Sequence, residues 1–364
     1  MLNGNEKNKS NISKVKPDAL KENLKDINDE SKISKGKEKI EERATSFIIN
    51  ENSYVKWENI VGYEELKQAL KEQIISPIKY PKQFQEKQKP VKSILIYGPP
   101  GTGKTLLSKA IAAELEGNFF YILACYIITK WNQSDSDKII KDLFDLARKK
   151  KPSVIFIDEI DCILNEKSYY YNDTIRKIKN EFLLQMKNVE DNDEDIMVLG
   201  STNIPWTLDG NIINIFQKKM YISLPDCDAR KKMIELNLKD ITHTLTDQQI
   251  EYLAQNTKDF SGSDIYNLVQ DVFYEPLRKY MNYEYFKKVK GTDGNQWNYI
   301  PCEQNDTGAI KMKMTEITDL KLILLPKVDF NDFKKALERA RPSMDEQDLT
   351  NFEKFTLDFG KDNK

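Results

Sequence analysis

Beyond Tyr54, short apolar runs alternate with amphipathic stretches along the chain. Residues 93–97, 119–123, 154–157, 196–201 and 220–222 are near-continuous apolar runs of strand length, the pattern of strands buried on both faces. Between them, 106–116, 138–148 and 173–187 carry apolar residues at helical spacing. This alternation predicts an α/β fold, a doubly wound parallel sheet. From Asp226 the pattern turns helical, at 226–238, 247–255, 261–281, 330–340 and about 346–356. The segment 290–325 interrupts it with Gly, Pro, Asn and short alternating runs at 310–314 and 320–325, which predicts two or three small strands. The expected organisation is a large α/β domain over 47–224 and a helical lid domain over 225–364. The lid holds an inserted small β domain at about 288–326 and a C-terminal helix at about 346–358. No internal repeat is visible.

Residues 1–46 stand apart. They contain no aromatic residue, and lysines and acids alternate there with Asn and Ser. Too little can be buried to offset the entropy of ordering, so a disordered polar tail is expected. Leu20, Leu24 and Ile27 allow one short transient helix within it. The 364 residues leave room for two or three domains, and 31% charged with 39% hydrophobic residues is ordinary for a globular chain. Fifty-six basic against 58 acidic residues give a net charge of -2, which argues against nucleic acid as a partner. No apolar run approaches the roughly 20 residues of a membrane span. Met1 to Lys7 starts neither a signal peptide nor a myristoylation site. Cys125, Cys162, Cys227 and Cys302 are scattered with no CxxC pair and His243 is the single histidine, which argues against a zinc or disulfide framework. A soluble, reduced, cytoplasmic chain is expected.

The chemistry begins at 98–105. Gly98, Pro99, Pro100, Gly101, Thr102, Gly103, Lys104 and Thr105 read GPPGTGKT, between an apolar strand and a helical stretch opening at Leu106. That setting is what a phosphate-binding loop requires, since glycines let successive N–H groups and a helix N-terminus point at phosphate oxygens. Lys104 is expected to reach the β- and γ-phosphates of ATP, and the Thr105 hydroxyl to ligate Mg²⁺. About 50 residues on, the run at 154–157 ends in Asp158-Glu159-Ile160-Asp161. Asp158 is placed to hold the Mg²⁺ shell, and Glu159 to orient or deprotonate an attacking water. A kinase shares such a loop, but a glutamate at this point favours water as the acceptor. The strand ending Ser201-Thr202-Asn203 places Asn203 to hydrogen-bond the γ-phosphate and the water, or to start the turn before Pro205.

These elements, with STNIPW at 201–206 and FSGSD at 260–264, resemble the AAA ATPases and within them the meiotic clade of katanin, spastin and vacuolar protein sorting-associated protein 4. The vacuolar-sorting branch fits better than the severing branch, from Lys56-Trp57-Glu58 to Asp358-Phe359-Gly360. Two features separate it: the inserted segment with Pro301-Cys302 and 306–310, and the closing helix from Arg341-Pro342-Ser343 to Phe355. The resemblance implies an ATP-dependent ring, usually a homo-hexamer, that threads ESCRT-III subunits through its pore on endosomal membranes. It implies peripheral membrane association through partners, and an activator docking on the small β domain. By the same resemblance Val61 and Gly62 line the adenine pocket, and Gly262 and Ser263 form the second sensor. Lys130 and Trp131 match the pore loop that grips substrate by apolar area. Tyr169, Tyr170 and Tyr171 fall at the second pore loop, to grip a chain or to pack beneath it.

Three departures qualify this. Where the family carries arginines that reach a neighbour's γ-phosphate, this chain has Ile213, Asn214 and Ile215. Loss of such a finger costs about 10³–10⁵ in rate. Lys218 and Lys219 follow, but a point-charge amine is a poor substitute for a planar fork. The tail lacks the periodicity of the family's N-terminal three-helix domain, and Asn132-Gln133 replace the usual Met-Gly after the pore tryptophan. Two readings follow: a remodelling ATPase with weak self-stimulated turnover, or a nucleotide-binding, non-hydrolysing subunit or regulator in a mixed ring with a paralogue. Microtubule severing is a third, disfavoured by the β insertion.

Overall fold

Five parallel strands in the order β2-β3-β4-β1-β5 form the central sheet. This computed structural model describes residues 55–80, 83, 90–129, 136–165, 173–192, 195–239, 241–290, 297–317, 319, 322–324 and 326–360. An N-terminal helical stretch absent from the expected elements comes first: α1 (Glu64–Leu70), a π turn (Lys71–Ile75) and α2 (Ser76–Lys79). It buries Leu70 and Ile74 completely. Then follow β1 (Ser93–Tyr97), α3 (Lys104–Glu114), β2 (Asn118–Leu123), α4 (Ala124–Thr129) and α5 (Ser136–Lys149). Next are β3 (Ser153–Asp158), α6 (Asp161–Leu164), α7 (Asp173–Asn192), β4 (Ile196–Thr202), α8 (Gly210–Ile215) and β5 (Lys218–Tyr221). Each strand lies within two residues of an expected apolar run.

The sheet is buried on both faces, which explains why its strands read as runs rather than alternations. Ile94, Ile96, Val154, Phe156, Met197 and Leu199 share one face with Leu107, Ala110 and Ile111 of α3. α5 and α7 cover the other face and bury Ile140, Phe144, Ile178 and Phe182. Each such side chain contributes about 1.5–3 kcal/mol. β1 lies inside the sheet with β4 on one side and β5 on the other, so the chain reverses direction at its carboxyl end, where open α/β sheets bind ligands.

The lid is built from α9 (Cys227–Leu238), α10 (Asp247–Asn256), α11 (Gly262–Phe273) and α12 (Glu275–Met281). The expected single stretch 261–281 is corrected to two helices. Pro276 lacks the N–H that would continue α11, so the chain restarts a helix with the proline in its first turn. Asp226, Thr246 and Ser261 cap their helices with side-chain acceptors, each worth about 1 kcal/mol. A separate antiparallel sheet follows, in the order β7-β6-β8, from β6 (Tyr285–Lys290), β7 (Trp297–Pro301) and β8 (Ile310–Lys311). It starts at Tyr285, ahead of the expected 288, because Phe286 belongs to its buried cluster with Tyr280, Met314, Ile317 and Ile323. α13 (Phe330–Arg339) returns to the lid core through Phe333 and Ala336.

The last helix, α14 (Glu346–Phe359), packs on the large domain. Phe352 is fully buried, its ring 5.0 Å from Trp206 and 5.8 Å from Tyr221. Phe355 meets Tyr97 edge-on at 4.9 Å, and the Tyr97 hydroxyl donates to Thr356 Oγ1 at 3.0 Å. Upstream, the Ser343 hydroxyl donates to Asp264 at 3.0 Å, tying the approach to α14 onto the lid. Phe352→Ala is expected to cost about 3–5 kcal/mol. Urea unfolding followed by tryptophan fluorescence checks this; an unchanged midpoint would show that α14 is not docked in solution.

Candidate nucleotide site

The phosphate loop leaves β1 through a close backbone approach. A Cβ at Gly98 would stand 2.1 Å from the carbonyl oxygen of Ile222, so no side chain fits there. Gly101 has φ +76°, and a Cβ on it would meet Ser261 Oγ at 2.7 Å and Ser263 at 2.8 Å. Lys104 opens α3 and is buried; its Nζ donates to the carbonyls of Gly98 at 2.9 Å and Pro99 at 2.7 Å. Burial lowers its pKa to about 8, against the pull of Asp158 and Asp161. Thr102 is buried, its hydroxyl donating to Pro99 O at 2.9 Å.

β3 delivers the acids. Thr105 Oγ1 donates to Asp158 Oδ2 at 2.9 Å, while Oδ1 accepts from the Ser201 hydroxyl and from the Glu159 amide at 3.1 Å. Glu159 has φ +52°, a left-handed conformation that costs a non-glycine residue about 1–3 kcal/mol. The Ile160 amide, donating to Ser201 O at 2.9 Å, holds that turn. Burial, then Asp158 and Asp161, raise the Glu159 carboxyl above the usual carboxylate range. The Thr202 hydroxyl donates to Asp161 at 2.6 Å, and Asn203 follows at the cavity wall.

These groups line a cavity of about 510 Å³, within the range of small-ligand sites. Pro100 to Leu106, Asp158, Glu159 and Asn203 form its polar end. Ile60, Val61, Met233, Leu236 and Tyr266 form an apolar end between the N-terminal segment and the lid. Gly262 and Ser263 close the seam, and the Ser263 amide donates to Gly101 O at 3.2 Å. Gly62 follows Val61 on the loop that borders the cavity. It lines the adjoining cavity with Ile60 and Val61, and a Cβ on it would stand 2.9 Å from Ala229 Cβ, so it also permits close packing against α9. Lys130, Trp131, Tyr169, Tyr170 and Tyr171 lie outside the described residues.

Sequence reasoning missed several members of the site. Tyr63, with φ +60°, donates its hydroxyl to Ser223 O at 3.0 Å and thereby fastens the Val61–Gly62 loop to the segment entering the lid. Burial, with Tyr221 and Asp226 nearby, raises its pKa. Tyr121 on β2 stands beside Asp158 and Glu159; burial and those two charges push its pKa up to about 12. Neither tyrosine belongs to a motif, and only the fold brings them here.

Residues 94–224 match the family described as ATPase family associated with various cellular activities (AAA), and 299–360 match the Vps4 C terminal oligomerisation domain. Vacuolar protein sorting-associated protein 4B of Mus musculus is 41% identical over 90% of this chain and 74% of its own length. The chain belongs to the vacuolar protein sorting-associated protein 4 family of AAA ATPases. Vacuolar protein sorting-associated protein 4 of Dictyostelium discoideum is 37% identical over 99% of this chain and 81% of its own. The fold also resembles the crystal structure of the FIGL-1 AAA domain in complex with ADP, with TM-score 0.72, 31% identity, and coverage of 89% of this chain and 97% of that one. As a member of this family the chain is an ATPase that binds nucleotide, and its oligomerisation domain makes it a ring-forming protein. Among the described residues no helix is long and apolar enough to cross a membrane.

Gly101→Ala should force a left-handed alanine, at about 1–2 kcal/mol, and displace Ser261 and Ser263. Titration with a fluorescent ATP analogue is expected to show affinity lowered about tenfold or more. Wild-type affinity would mean that the contact between lid and loop does not matter for binding.

Proposed function

We propose that this chain is an ATP-driven remodelling ATPase that disassembles ESCRT-III-type polymers by drawing subunits through a ring pore in endosomal and vacuolar sorting. The observation that carries the ATPase half is the convergence of Lys104, Thr105, Asp158 and Glu159 at one end of a single cavity. Family membership supports the substrate class and a homo-hexamer, with cytoplasmic protein recruited to endosomal membranes by its partners. An activator docking on the β6–β8 sheet belongs to the same reading.

In this mechanism Lys104 exchanges its carbonyl partners for β- and γ-phosphate oxygens. Thr105 and Asp158 are hard oxygen donors side by side, a fit for Mg²⁺, which takes one or two protein oxygens and keeps several waters. Among the described residues no cluster of three His, Cys, Asp or Glu offers a competing all-protein metal site. Bound there, Mg²⁺ neutralises charge on the β- and γ-phosphates. Glu159, its proton affinity raised, takes a proton from the water that attacks the γ-phosphorus as the bond to the leaving ADP oxygen breaks. Asn203 hydrogen-bonds the γ-phosphate and that water, and Gly262 and Ser263 sense the nucleotide from the lid.

A second reading rests on α8. Ile213 is buried, Asn214 exposed and Ile215 half-buried, so none offers a cation to a neighbouring site. Lys218 is engaged with Gln73, and Lys219 lies on the edge strand β5. In that reading the chain turns over ATP only beside a paralogue that supplies arginines, or it acts as a non-hydrolysing regulator of such a ring.

Glu159→Gln is expected to keep nucleotide binding and lose about 10²–10⁴ in turnover. Steady-state phosphate release at several protein concentrations measures this; a wild type with no turnover even beside a family partner would sink the first reading. Asn214→Arg, at the one exposed position of the three, should raise homomeric turnover about tenfold or more, a part of what an arginine finger supplies. No rise in the same assay would place the missing cation elsewhere.

A further inference from the structure

Asp264 sits in the first turn of α11, and none of the chemistry above uses it. Its Oδ2 accepts from both donors of Ser261, the amide at 2.9 Å and the hydroxyl at 2.9 Å. The same oxygen accepts from both donors of Ser343, the amide at 3.3 Å and the hydroxyl at 3.0 Å. The Asp264 amide donates in turn to Ser261 Oγ at 3.2 Å, which completes a capping box. A capping box needs only the Ser261 donors. The second pair comes from a residue 79 positions away, on the segment that enters α14.

The same turn rests on the phosphate loop. Ser261 is buried, and a Cβ at Gly101 would stand 2.7 Å from its hydroxyl oxygen. The Ser263 amide donates to Gly101 O at 3.2 Å, and a Cβ at Gly262 would stand 3.2 Å from that oxygen. The first turn of α11 therefore meets the loop at Gly101 and the entry to α14 at Ser343. An ionised carboxylate offers acceptors alone, which suits it to serve its own cap and a second segment together.

We propose that Asp264 is a positioning residue for the phosphate loop: its carboxylate fastens the segment entering α14 to the turn that bears on Gly101, and so sets how tightly nucleotide is held. When the link is broken the turn leaves the loop for part of the time, and apparent affinity falls with the competent fraction. Ser343 is exposed, so its hydroxyl gains little from packing and acts through Asp264. This inference rests on the reading that residues 98–105 hold the phosphates.

The test is the affinity of the full chain for a fluorescent ATP analogue. Ser343→Ala leaves the capping box whole and removes one donor; it should lower affinity about threefold, as expected for one exposed hydrogen bond to a carboxylate. Ser343→Thr keeps a hydroxyl and should retain the wild-type affinity. Asp264→Ala removes box and link together and should lower affinity about tenfold or more. Adding Ser343→Ala to Asp264→Ala should then cost nothing further, since the two act as one unit. The inference is overturned if Ser343→Ala binds like the wild type, if Ser343→Thr loses as much as Ser343→Ala, or if the two losses multiply in the double variant. Lys104→Ala separates the two claims. Loss of binding in that variant upholds the loop reading whatever Ser343→Ala does, whereas wild-type affinity overturns that reading and the role of Asp264 with it.

Discussion

The carboxylate of Asp158 accepts hydrogen bonds from two hydroxyls remote in sequence and from the amide of the next residue. Thr105 ties it to the helix of the phosphate loop, Ser201 to the end of β4, and the Glu159 amide to the turn that carries the proposed base. Parallel register makes this meeting unavoidable: Ile157 lies opposite Gly200 and Tyr97 opposite Thr202, so three strands end at one level. Gly200 keeps them close, since a Cβ there would stand 2.8 Å from the ring of Phe216. Removing the carboxylate would leave half-buried donors unpaired, at about 1–3 kcal/mol each. The same group that organises the apoprotein is thus the one proposed to receive the metal.

The five residues from Tyr97 to Gly101 are where the parts of the molecule meet. Tyr97 carries the contact with α14, Gly98 admits the carbonyl of Ile222, and Gly101 accepts from Ser263 at the start of α11. A shift of the lid or of the C-terminal helix therefore acts on the backbone proposed to hold phosphate, without a relay. Tyr63 adds a fastening on the other side of the cavity, through Ser223. The left-handed conformations at Tyr63 and Glu159 are held in place by these surroundings.

The cis half of the site is dense with polar partners, and α8 is the reverse. Asp209 caps this helix and pairs with the buried Lys179 at 2.6 Å, so its start is fixed firmly. What it then presents is Asn214 between two isoleucines. A firmly held helix with an uncharged tip suits a subunit that receives more electrostatic help from its neighbours than it returns.

The sequence by itself determined the large sheet, the phosphate loop and the acids at the end of β3, because each is written in a few consecutive residues. A buried parallel strand is a short apolar run, and a loop that folds around phosphate needs its glycines at fixed offsets. The helix break at Pro276 was also local, but the periodic pattern running through 261–281 concealed it. What only the tertiary structure decided is what lies across from what. Strand register set Tyr121 beside Asp158, docking of α14 joined Thr356 to Tyr97, and the seating of α8 buried Ile213 while exposing Asn214. Those neighbours are dozens to hundreds of residues apart, and nothing in local spacing encodes the order in which parallel strands assemble.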